Sequence, residues 1–295
     1  MYFLTDLEQK YLIQGLLKAA REAGVSPELR GWSWHTEPLK PYYDDVKLPM
    51  YAISSKYCPT GRDVYLAFAE GAKARPNRRM ALGKLLHGAV SDALSAFIER
   101  KPLSFEEWSE RIRWDEIPMS PEKGLKAAKL VWESVRKLCE AKYEEASMKQ
   151  PYASEADLRA SAIPFLVEHK VSGELLGLSG LLSVDCYDYL RSIIFDLKVE
   201  DKPKEWHRLA PVGYALVFES VHEAPVDACC VVYLSISNDR LVLKKDLFFA
   251  SDEYRRWWVE ERDAKLEMVA ERKDPGAPSE CDPTCPFHHA CRGER

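Results

Sequence analysis

An aspartate and a lysine stand two residues apart in an otherwise apolar segment, SIIFDLKV, at residues 192–199. Such a short apolar run predicts a β-strand, on which side chains two positions apart point to the same face, so Asp196 and Lys198 would lie side by side. A carboxylate and an ammonium are costly to bury unless they pair with each other or bind a metal. The two residues therefore form either an ion pair on an edge strand or part of a metal-dependent active site.

Two more carboxylates lie in the neighbouring apolar segments. Asp185 comes eleven residues before Asp196, within SGLLSVDCY, and Glu168 lies in the segment before that. If the strands carrying Asp185 and Asp196 form a hairpin, both carboxylates can reach one hard cation such as Mg²⁺ or Mn²⁺. A water acidified by that cation can attack a phosphodiester, while Lys198 orients the water or stabilises charge on the phosphate. The pattern predicts metal-dependent phosphodiester hydrolysis.

His87 is a candidate metal ligand on a predicted helix at residues 78–100. A single histidine on an apolar helix face is commonly a core residue with a satisfied hydrogen bond. Gly83, one turn earlier, leaves room for another backbone or a metal to approach the helix closely. Both interpretations of His87 are compatible with the sequence.

Cysteines are concentrated at the end of the chain, in ECDPTCPFHHACRGER. Cys281, Cys285 and Cys291 lie within eleven residues, and Cys58, beside Pro59, is the candidate fourth ligand of one metal centre. Four thiolates suit either zinc or an iron–sulfur cluster, and the adjacent histidines of the tail keep zinc open. Three other cysteines fall in apolar segments and are predicted to be core residues: Cys139, Cys229 and Cys230.

Two groups of basic residues flank these segments and are candidates for contacts to DNA phosphates. The candidates are Arg75, Arg78, Arg79, Lys84, Lys202, Lys204, His207 and Arg208. Solvated surface charges are the alternative interpretation. Trp206 and Tyr214 could stack on bases or pack in the core.

The elements that would position these residues follow a simple order along the chain. Capping residues and apolar periodicity predict helices at 5–23, 56–69, 77–100, 121–148, 204–220 and 252–273, with a further start at Ser104. Short apolar runs predict strands at 163–171, 178–187, 192–199, 226–236 and 240–249. The order of helices, three consecutive strands, a helix, two strands and a helix predicts an α/β fold with a mixed sheet flanked by helices and a helical N-terminal part.

Bulk properties narrow the class of protein further. The 295 residues predict one large domain, or one domain with a helical insertion, and the formal net charge of −5 means that DNA would be attracted by local basic patches only. No apolar stretch approaches the length of a membrane span, and the first residues have no secretory pattern, which predicts a cytoplasmic protein. In that reducing compartment, clustered cysteines are typical metal ligands.

Several motifs together resemble those of RecB-like nucleases of the PD-(D/E)XK superfamily. They are GKLLHGAV around His87, SVD at Asp185, FDLK at 195–198 and the downstream Tyr214. One early and three C-terminal cysteines resemble the iron–sulfur subset of that superfamily. The sequence HRLAPVGYALVFESVHEAPVDACCVVYL is most similar to the CRISPR-associated RecB-like exonucleases of the adaptation machinery, in their archaeal type I-A branch. The resemblance spans about residues 50–291.

This resemblance implies a restriction-endonuclease-like fold and a specific set of ligands. It implies that His87, Asp185 and Asp196 bind the catalytic Mg²⁺ or Mn²⁺ and that Lys198 is catalytic, with Glu168 and Tyr214 as additional candidates. It also implies a 4Fe–4S cluster, which would be held by Cys58, Cys281, Cys285 and Cys291. The expected divisions are a helix and irregular segment at 1–52, a helical region at 53–160, a nuclease core at 161–275 and a cluster-binding tail at 276–295.

The function implied is exonuclease or endonuclease processing of DNA ends or single strands for CRISPR spacer acquisition. The expected partners are DNA and the CRISPR integrase proteins of the adaptation complex, with no membrane. Two other functions are compatible with the residues: a non-catalytic iron–sulfur subunit that binds DNA or acts as a scaffold, and a zinc-dependent DNA-binding protein.

Overall fold

The computed structural model describes residues 1–114 and 117–293. Its helices surround a single sheet, as the order of predicted elements indicates. The α-helices are α1 (Asp6–Tyr11), α2 (Leu17–Ala23), α3 (Met50–Ser54), α4 (Arg62–Phe68), α5 (Arg78–Ile98), α6 (Phe105–Ser109), α7 (Pro121–Lys149), α8 (Glu155–Ala162), α9 (Leu209–His222), α10 (Asp252–Ala270) and α11 (His288–Cys291). A π-helical turn at Leu12–Leu16 joins α1 to α2, and Thr5 and Glu8 form the predicted capping box at the start of α1.

Within the described part of the chain, five strands form one mixed sheet in sequence order. They are β1 (Phe165–Val171), β2 (Leu182–Asp188), β3 (Ile193–Lys198), β4 (Ala228–Ser237) and β5 (Arg240–Phe249). Only β3 and β4 are parallel, and α9 connects them, because parallel neighbours need a crossover connection. The predicted α/β class and mixed sheet are confirmed.

Each face of the sheet is covered by helices. Phe195 and Leu197 of β3 point into a core shared with α5 and α7. Ile194 of the same strand points into a second core shared with α9 and α10. This alternation buries β3 on both sides, so any polar group on it must find a partner inside the protein.

The prediction of a helix from residue 56 to residue 69 is wrong at its start. Ser55 ends α3, and α4 begins only after Gly61, which adopts a left-handed conformation with φ of 74°. Pro59 and Gly61 thus interrupt the pattern that suggested one helix. The consequence is that Cys58 lies in a loop.

A buried carboxylate attaches the irregular segment before α3 to the core. Glu219 of α9 accepts hydrogen bonds of 2.7 and 2.9 Å from the Arg255 guanidinium, 2.8 Å from Arg30 and 2.8 Å from the backbone of Gly31. Neither Glu219 nor Arg255 has any exposed surface. Gly31 packs so closely that a Cβ there would lie 2.0 Å from the carbonyl oxygen of Leu216. Only glycine fits this contact.

No helix in the described ranges 1–114 and 117–293 is both long enough and apolar enough to cross a membrane.

Candidate active site

The candidate site lies where strands β2 and β3 separate. Their pairing runs from Asp188 opposite Ile193 to Cys186 opposite Phe195. Beyond that point the backbone of Leu197 bonds to side chains instead: its N–H donates to Asp185 Oδ2 at 2.7 Å, and its carbonyl bonds to His87 Nε2 at 2.7 Å. Two side chains therefore occupy the gap between the strands and satisfy the backbone there.

The hydrogen bond to Leu197 also determines which nitrogen of His87 is free. A carbonyl oxygen can only accept, so Nε2 must carry the proton and Nδ1 of the neutral ring keeps its lone pair. Nδ1 lies 3.7 Å from Asp185 Oδ2. Metal-binding histidines commonly donate their other N–H to a backbone carbonyl in this way. His87 is therefore oriented as a ligand, with the lone pair directed toward a carboxylate.

Glu168 reaches the same point through an unusual backbone conformation. Its φ is +49°, in the left-handed region that costs a residue with a side chain about 1–2 kcal/mol. The β1–β2 pairing skips Glu168 and Asp185 and continues on either side of them. Side chains two residues apart on a regular strand share a face, but Val184 lies in the core with α9 and Cys186 lies in the core with α5. The side chains of β2 therefore change to the other face of the sheet across this gap. Strain at a non-glycine residue supports a functional interpretation of the position.

A short chain of hydrogen bonds orients the Glu168 carboxylate. Ser183 donates to Glu168 Oε2 at 2.6 Å, and Lys170 donates to Ser183 at 2.8 Å. Ligand atoms of His87, Glu168 and Asp185 all lie within 4.8 Å of one another. This mixed imidazole and carboxylate set suits Mn²⁺ or Mg²⁺.

Replacing Glu168 by glycine separates strain from function. We expect Glu168→Gly to retain or gain up to about 1 kcal/mol of stability without metal, because glycine relieves the left-handed strain. If Mn²⁺ binds at these residues and stabilises the protein, that stabilisation should fall sharply in the variant. Ser192→Gly is the matched control, since Ser192 has φ of 52° in the β2–β3 turn and should gain stability with no loss of the Mn²⁺ effect. Thermal unfolding with and without Mn²⁺ measures the stability of each variant and its stabilisation by the ion. If Glu168→Gly is stabilised by Mn²⁺ as much as the unaltered protein, Glu168 does not belong to the site.

Asp196 and Lys198 lie next to this group and contact each other. Lys198 Nζ is 2.7 Å from Asp196 Oδ2, yet no donor among the described residues makes a well-directed hydrogen bond to that oxygen. Asp196 is only 5% exposed. Burial opposes the charged form of Lys198, but the nearby Asp196 and Asp185 outweigh it and raise the lysine pKa. Lys198 is therefore a permanent cation, and the buried oxygen of Asp196 retains capacity for a further positive partner.

The surplus of carboxylates makes the site receptive to a cation. Burial, and then the charge of Asp196, raises the pKa of Asp185 to about 6, although His87 acts in the opposite direction. Burial raises the pKa of Tyr214 as well, with further contributions from Asp185, Asp196 and Glu168. A divalent ion would offset this concentration of negative charge. The residues present fit such an ion.

The structure thus brings together His87, Asp185, Asp196 and Lys198, with Tyr214 beside them. It differs from the sequence prediction in one respect: Glu168 joins His87 and Asp185 in the tightest group, while Asp196 stands beside it with Lys198.

Sequence reasoning missed Glu200, which organises the next part of the surface. Its carboxylate contacts Arg79, accepts a hydrogen bond from Tyr57, and lies 3.3 Å from Lys204. These groups lower the pKa of Glu200 against the opposing effect of burial. Strand alternation could have identified it, because Glu200 is two positions beyond Lys198.

The predicted DNA-binding residues divide into two groups. Arg75, Arg78, Arg79, Lys84 and Lys202 are exposed, and Lys204 is half-buried. His207 is buried instead, because the 3₁₀ turn Glu205–Arg208 packs against β4, and the half-buried Arg208 pairs with a residue of β5.

His207 is 1% exposed and bonds to Tyr233 at 3.1 Å; burial, and then Lys198, lowers its pKa to about 4. Arg208 forms two 2.8 Å hydrogen bonds with Asp246. His207 therefore has no surface to offer DNA, whereas Arg208 is paired but partly exposed, and its contact with DNA stays a prediction.

The C-terminal cysteines lie against the loop that carries Cys58. None of Cys58, Cys281, Cys285 and Cys291 is in a disulfide, and all four are half-buried. Burial raises the pKa of the Cys285 thiol, with further contributions from the nearby Cys281 and Cys58. Cys58 and Cys281 are thus neighbours of Cys285, although the described residues hold no set of three cysteines whose sulfurs all lie within 4.8 Å of one another. Thiolates are the donors that an iron–sulfur cluster or zinc prefers, so the residue types suit a metal centre.

Hydrogen bonds hold this tail to α4 and to the start of α5. Arg62 donates to Asp274 at 2.7 and 2.8 Å and to the sulfur of Cys291 at 3.2 Å. Asn77, the N-cap of α5, donates to the carbonyl of Thr284 at 2.8 Å. The remaining cysteines, including the predicted core residues Cys139, Cys229 and Cys230, are buried.

Comparisons with known proteins agree with one another. A family model described as CRISPR-associated exonuclease Csa1 matches residues 1–294. A CRISPR-associated exonuclease Csa1 from Thermoproteus tenax is 29% identical over 303 residues, covering 98% of this chain and 99% of that protein. A protein of the same description from Saccharolobus solfataricus is 29% identical over 298 residues, with the same coverage.

Proposed function

Because this chain belongs to the CRISPR-associated exonuclease Csa1 family, we propose that it is a divalent-metal-dependent deoxyribonuclease that processes DNA ends for spacer acquisition. The resemblance drawn from the sequence motifs is thereby confirmed at the level of the family. The proposed metal dependence rests on one observation. Where β2 and β3 separate, His87 Nδ1, Glu168 and Asp185 lie close together beside Asp196 and Lys198.

In this proposal each residue has a distinct task. His87, Glu168, Asp185 and Asp196 hold Mg²⁺ or Mn²⁺, which when bound supplies an acidified water and polarises the phosphodiester. Lys198 stays protonated and stabilises negative charge that develops on the phosphate. Leu197 positions His87, and the Ser183 hydroxyl positions Glu168. The exposed arginines at the start of α5 hold neighbouring phosphates.

The direct test uses purified protein and end-labelled linear DNA, single-stranded and double-stranded. We expect cleavage with added Mg²⁺ or Mn²⁺ and none without divalent ions. Covalently closed circular DNA is the matched control, and it should be cut more slowly if ends are the substrate. Absence of cleavage under all these conditions would favour a non-catalytic DNA-binding or scaffolding subunit. Association with the CRISPR integrase proteins is a separate part of the proposal, measured by co-purification.

We also propose that Cys58, Cys281, Cys285 and Cys291 bind a 4Fe–4S cluster, as in the iron–sulfur subset that the cysteine pattern resembles. Two observations support it: Cys281 and Cys58 are neighbours of Cys285, and Arg62 of α4 donates a hydrogen bond to the Cys291 sulfur. A metal that joins distant parts of a chain stabilises the fold by closing a long loop. The cluster would thus fasten the tail to α4 and α5.

Removing one thiol tests the metal centre without disturbing the core. We expect Cys285→Ala to lose most of the bound iron and the visible absorbance, and to make the tail sensitive to proteolysis. Cys229→Ala is the matched control, because Cys229 is fully buried in β4 and should retain the iron. Metal analysis after anaerobic purification measures the result. Stoichiometric zinc in place of iron would contradict the cluster and leave a zinc site.

A further inference from the structure

A large groove lies beside the candidate site, at the end of β3. It runs between α5 and α7 and along the C-terminal ends of β3 and β4, with a volume of about 1290 Å³. Val199, the residue that follows Lys198, forms part of its wall. The groove therefore begins at the end of the strand that carries the proposed catalytic lysine.

The groove is basic although the chain as a whole is acidic. Among the residues that the structure describes, seven basic and four acidic ones line it, whereas the formal net charge of the whole chain is −5. The basic ones are Arg78, Arg79, Lys123, Lys126, Lys129, Lys202 and Lys204. A concentration of positive charge in a concave surface attracts polyanions and raises their local concentration.

Three of these basic residues form a row on α7 that the sequence analysis did not single out. Lys123, Lys126 and Lys129 are spaced three apart on one side of the helix, and all three are exposed. Lys126 pairs with Asp239 at 2.7 Å, and Lys129 with Glu106 at 3.4 Å. Exposed pairs of this kind are worth well under about 1 kcal/mol, so both lysines can exchange these partners for a phosphate at little cost.

The floor of the groove is apolar. Its partly exposed apolar residues are Leu82, Met119, Ala127, Leu130 and Ile236, with the buried Leu86 and Leu234 beneath them. A basic rim over an apolar floor suits a single strand, whose unpaired bases can lie on the floor while its phosphates contact the rim. The bases of a duplex are stacked inside and cannot use such a floor.

An aromatic pair adjoins this groove at Lys204. Lys204 Nζ lies 4.6 Å from the ring centroid of Tyr57 and 5.3 Å from that of Trp206. The two rings contact each other edge to face at 4.8 Å, and Tyr57 is 54% exposed. An exposed ring next to a cation is a suitable stacking position for one base.

We propose that this groove binds the single-stranded part of a DNA substrate, with phosphates on Lys123, Lys126 and Lys129 and bases on the apolar floor. The inference rests on the proposed nuclease function, because it identifies single-stranded DNA as the substrate that extends from that site. The α7 row holds the strand away from the scissile bond and takes no part in the chemistry.

The test measures binding separately from cleavage. The full-length triple variant Lys123→Gln, Lys126→Gln, Lys129→Gln and the unaltered protein are titrated with fluorescent single-stranded DNA, without divalent ions, over a range of salt concentrations. Three lost phosphate contacts should lower the slope of log affinity against log salt by about 2, since each single-strand contact contributes about 0.7. The triple variant Lys10→Gln, Lys18→Gln, Lys137→Gln is the matched control, with the same change of charge at exposed positions that do not line the groove.

Each outcome has a definite meaning. A reduced slope for single strands, with a smaller change for duplex DNA, supports the proposal. An equal change of slope for single-stranded and duplex DNA would overturn the assignment to single strands. If the α7 variant and the control variant have the same slope, the groove is not a DNA site, and an acidic protein partner is left as its occupant. With divalent metal, the α7 variant should show a raised KM and an unchanged kcat. If the unaltered protein cuts no DNA, the proposed function fails, while the salt dependence still decides the groove.

Discussion

Asp196→Asn is expected to reduce metal-dependent DNA cleavage by more than about a hundredfold, because losing even an indirect partner of a metal ligand costs about 10- to 100-fold. The substitution keeps the shape of the side chain and removes its charge. It replaces the anionic oxygen that lies 2.7 Å from Lys198 by a neutral amide. The stability without metal should change little, because the amide oxygen can still accept a hydrogen bond from Lys198 and the charge of Asp185 still stabilises the ammonium.

Two measurements distinguish this effect from misfolding. Unfolding in denaturant should give nearly the same free energy for Asp196→Asn and the unaltered protein without metal, whereas stabilisation by Mn²⁺ should be weakened in the variant. Asp45→Asn, an exposed aspartate outside the site, is the matched control and should cut DNA normally. Full metal-dependent cleavage by Asp196→Asn would end the assignment of the active site.

Glu219→Ala is expected to lower the free energy of unfolding by about 3–5 kcal/mol, which is typical when one partner of a buried ion pair is removed. Without this carboxylate, the fully buried Arg255 guanidinium keeps only its bonds to backbone carbonyls. The N–H of Gly31 also loses its acceptor and Arg30 keeps only Asp227, so the attachment of the segment before α3 to α9 would be weakened.

The matched control is an exposed pair of the same chemical type. Glu22→Ala removes the partner of Lys18, 4.0 Å away, in a pair with about 70% of both side chains exposed. We expect a loss below about 1 kcal/mol there. Chemical denaturation measures both variants, and Glu219→Gln, which keeps the shape, serves if Glu219→Ala does not fold. Equal small losses at the two positions would show that the buried network contributes little.

The side of β3 on which the candidate site lies was predictable from the sequence. Alternation places Asp196 and Lys198 together, and the hairpin of β2 and β3 brings Asp185 near them, as the apolar runs and the short turn indicated. These inferences succeed because they use only the two-residue period of a strand and the shortness of one connection.

Other features depend on backbone detail that no periodicity reveals. The left-handed conformation of Glu168 breaks the β1–β2 pairing and brings its carboxylate to His87, although the surrounding residues read as an ordinary strand. His207 and Arg208 look like surface charges in the sequence, yet a 3₁₀ turn directs them to Tyr233 and Asp246. Short-range propensity does not determine such turns, because contacts with β4 and β5 select them.

The imidazole of His87 is held by a main-chain oxygen, that of Leu197. Every amino acid offers that same oxygen, so exchanging Leu197 for another apolar residue leaves the tautomer of the ring undisturbed. The feature that evolution must conserve is the position of α5 relative to β3. Substitutions that shift α5 along the sheet would therefore harm the candidate site more than replacement of Leu197 itself.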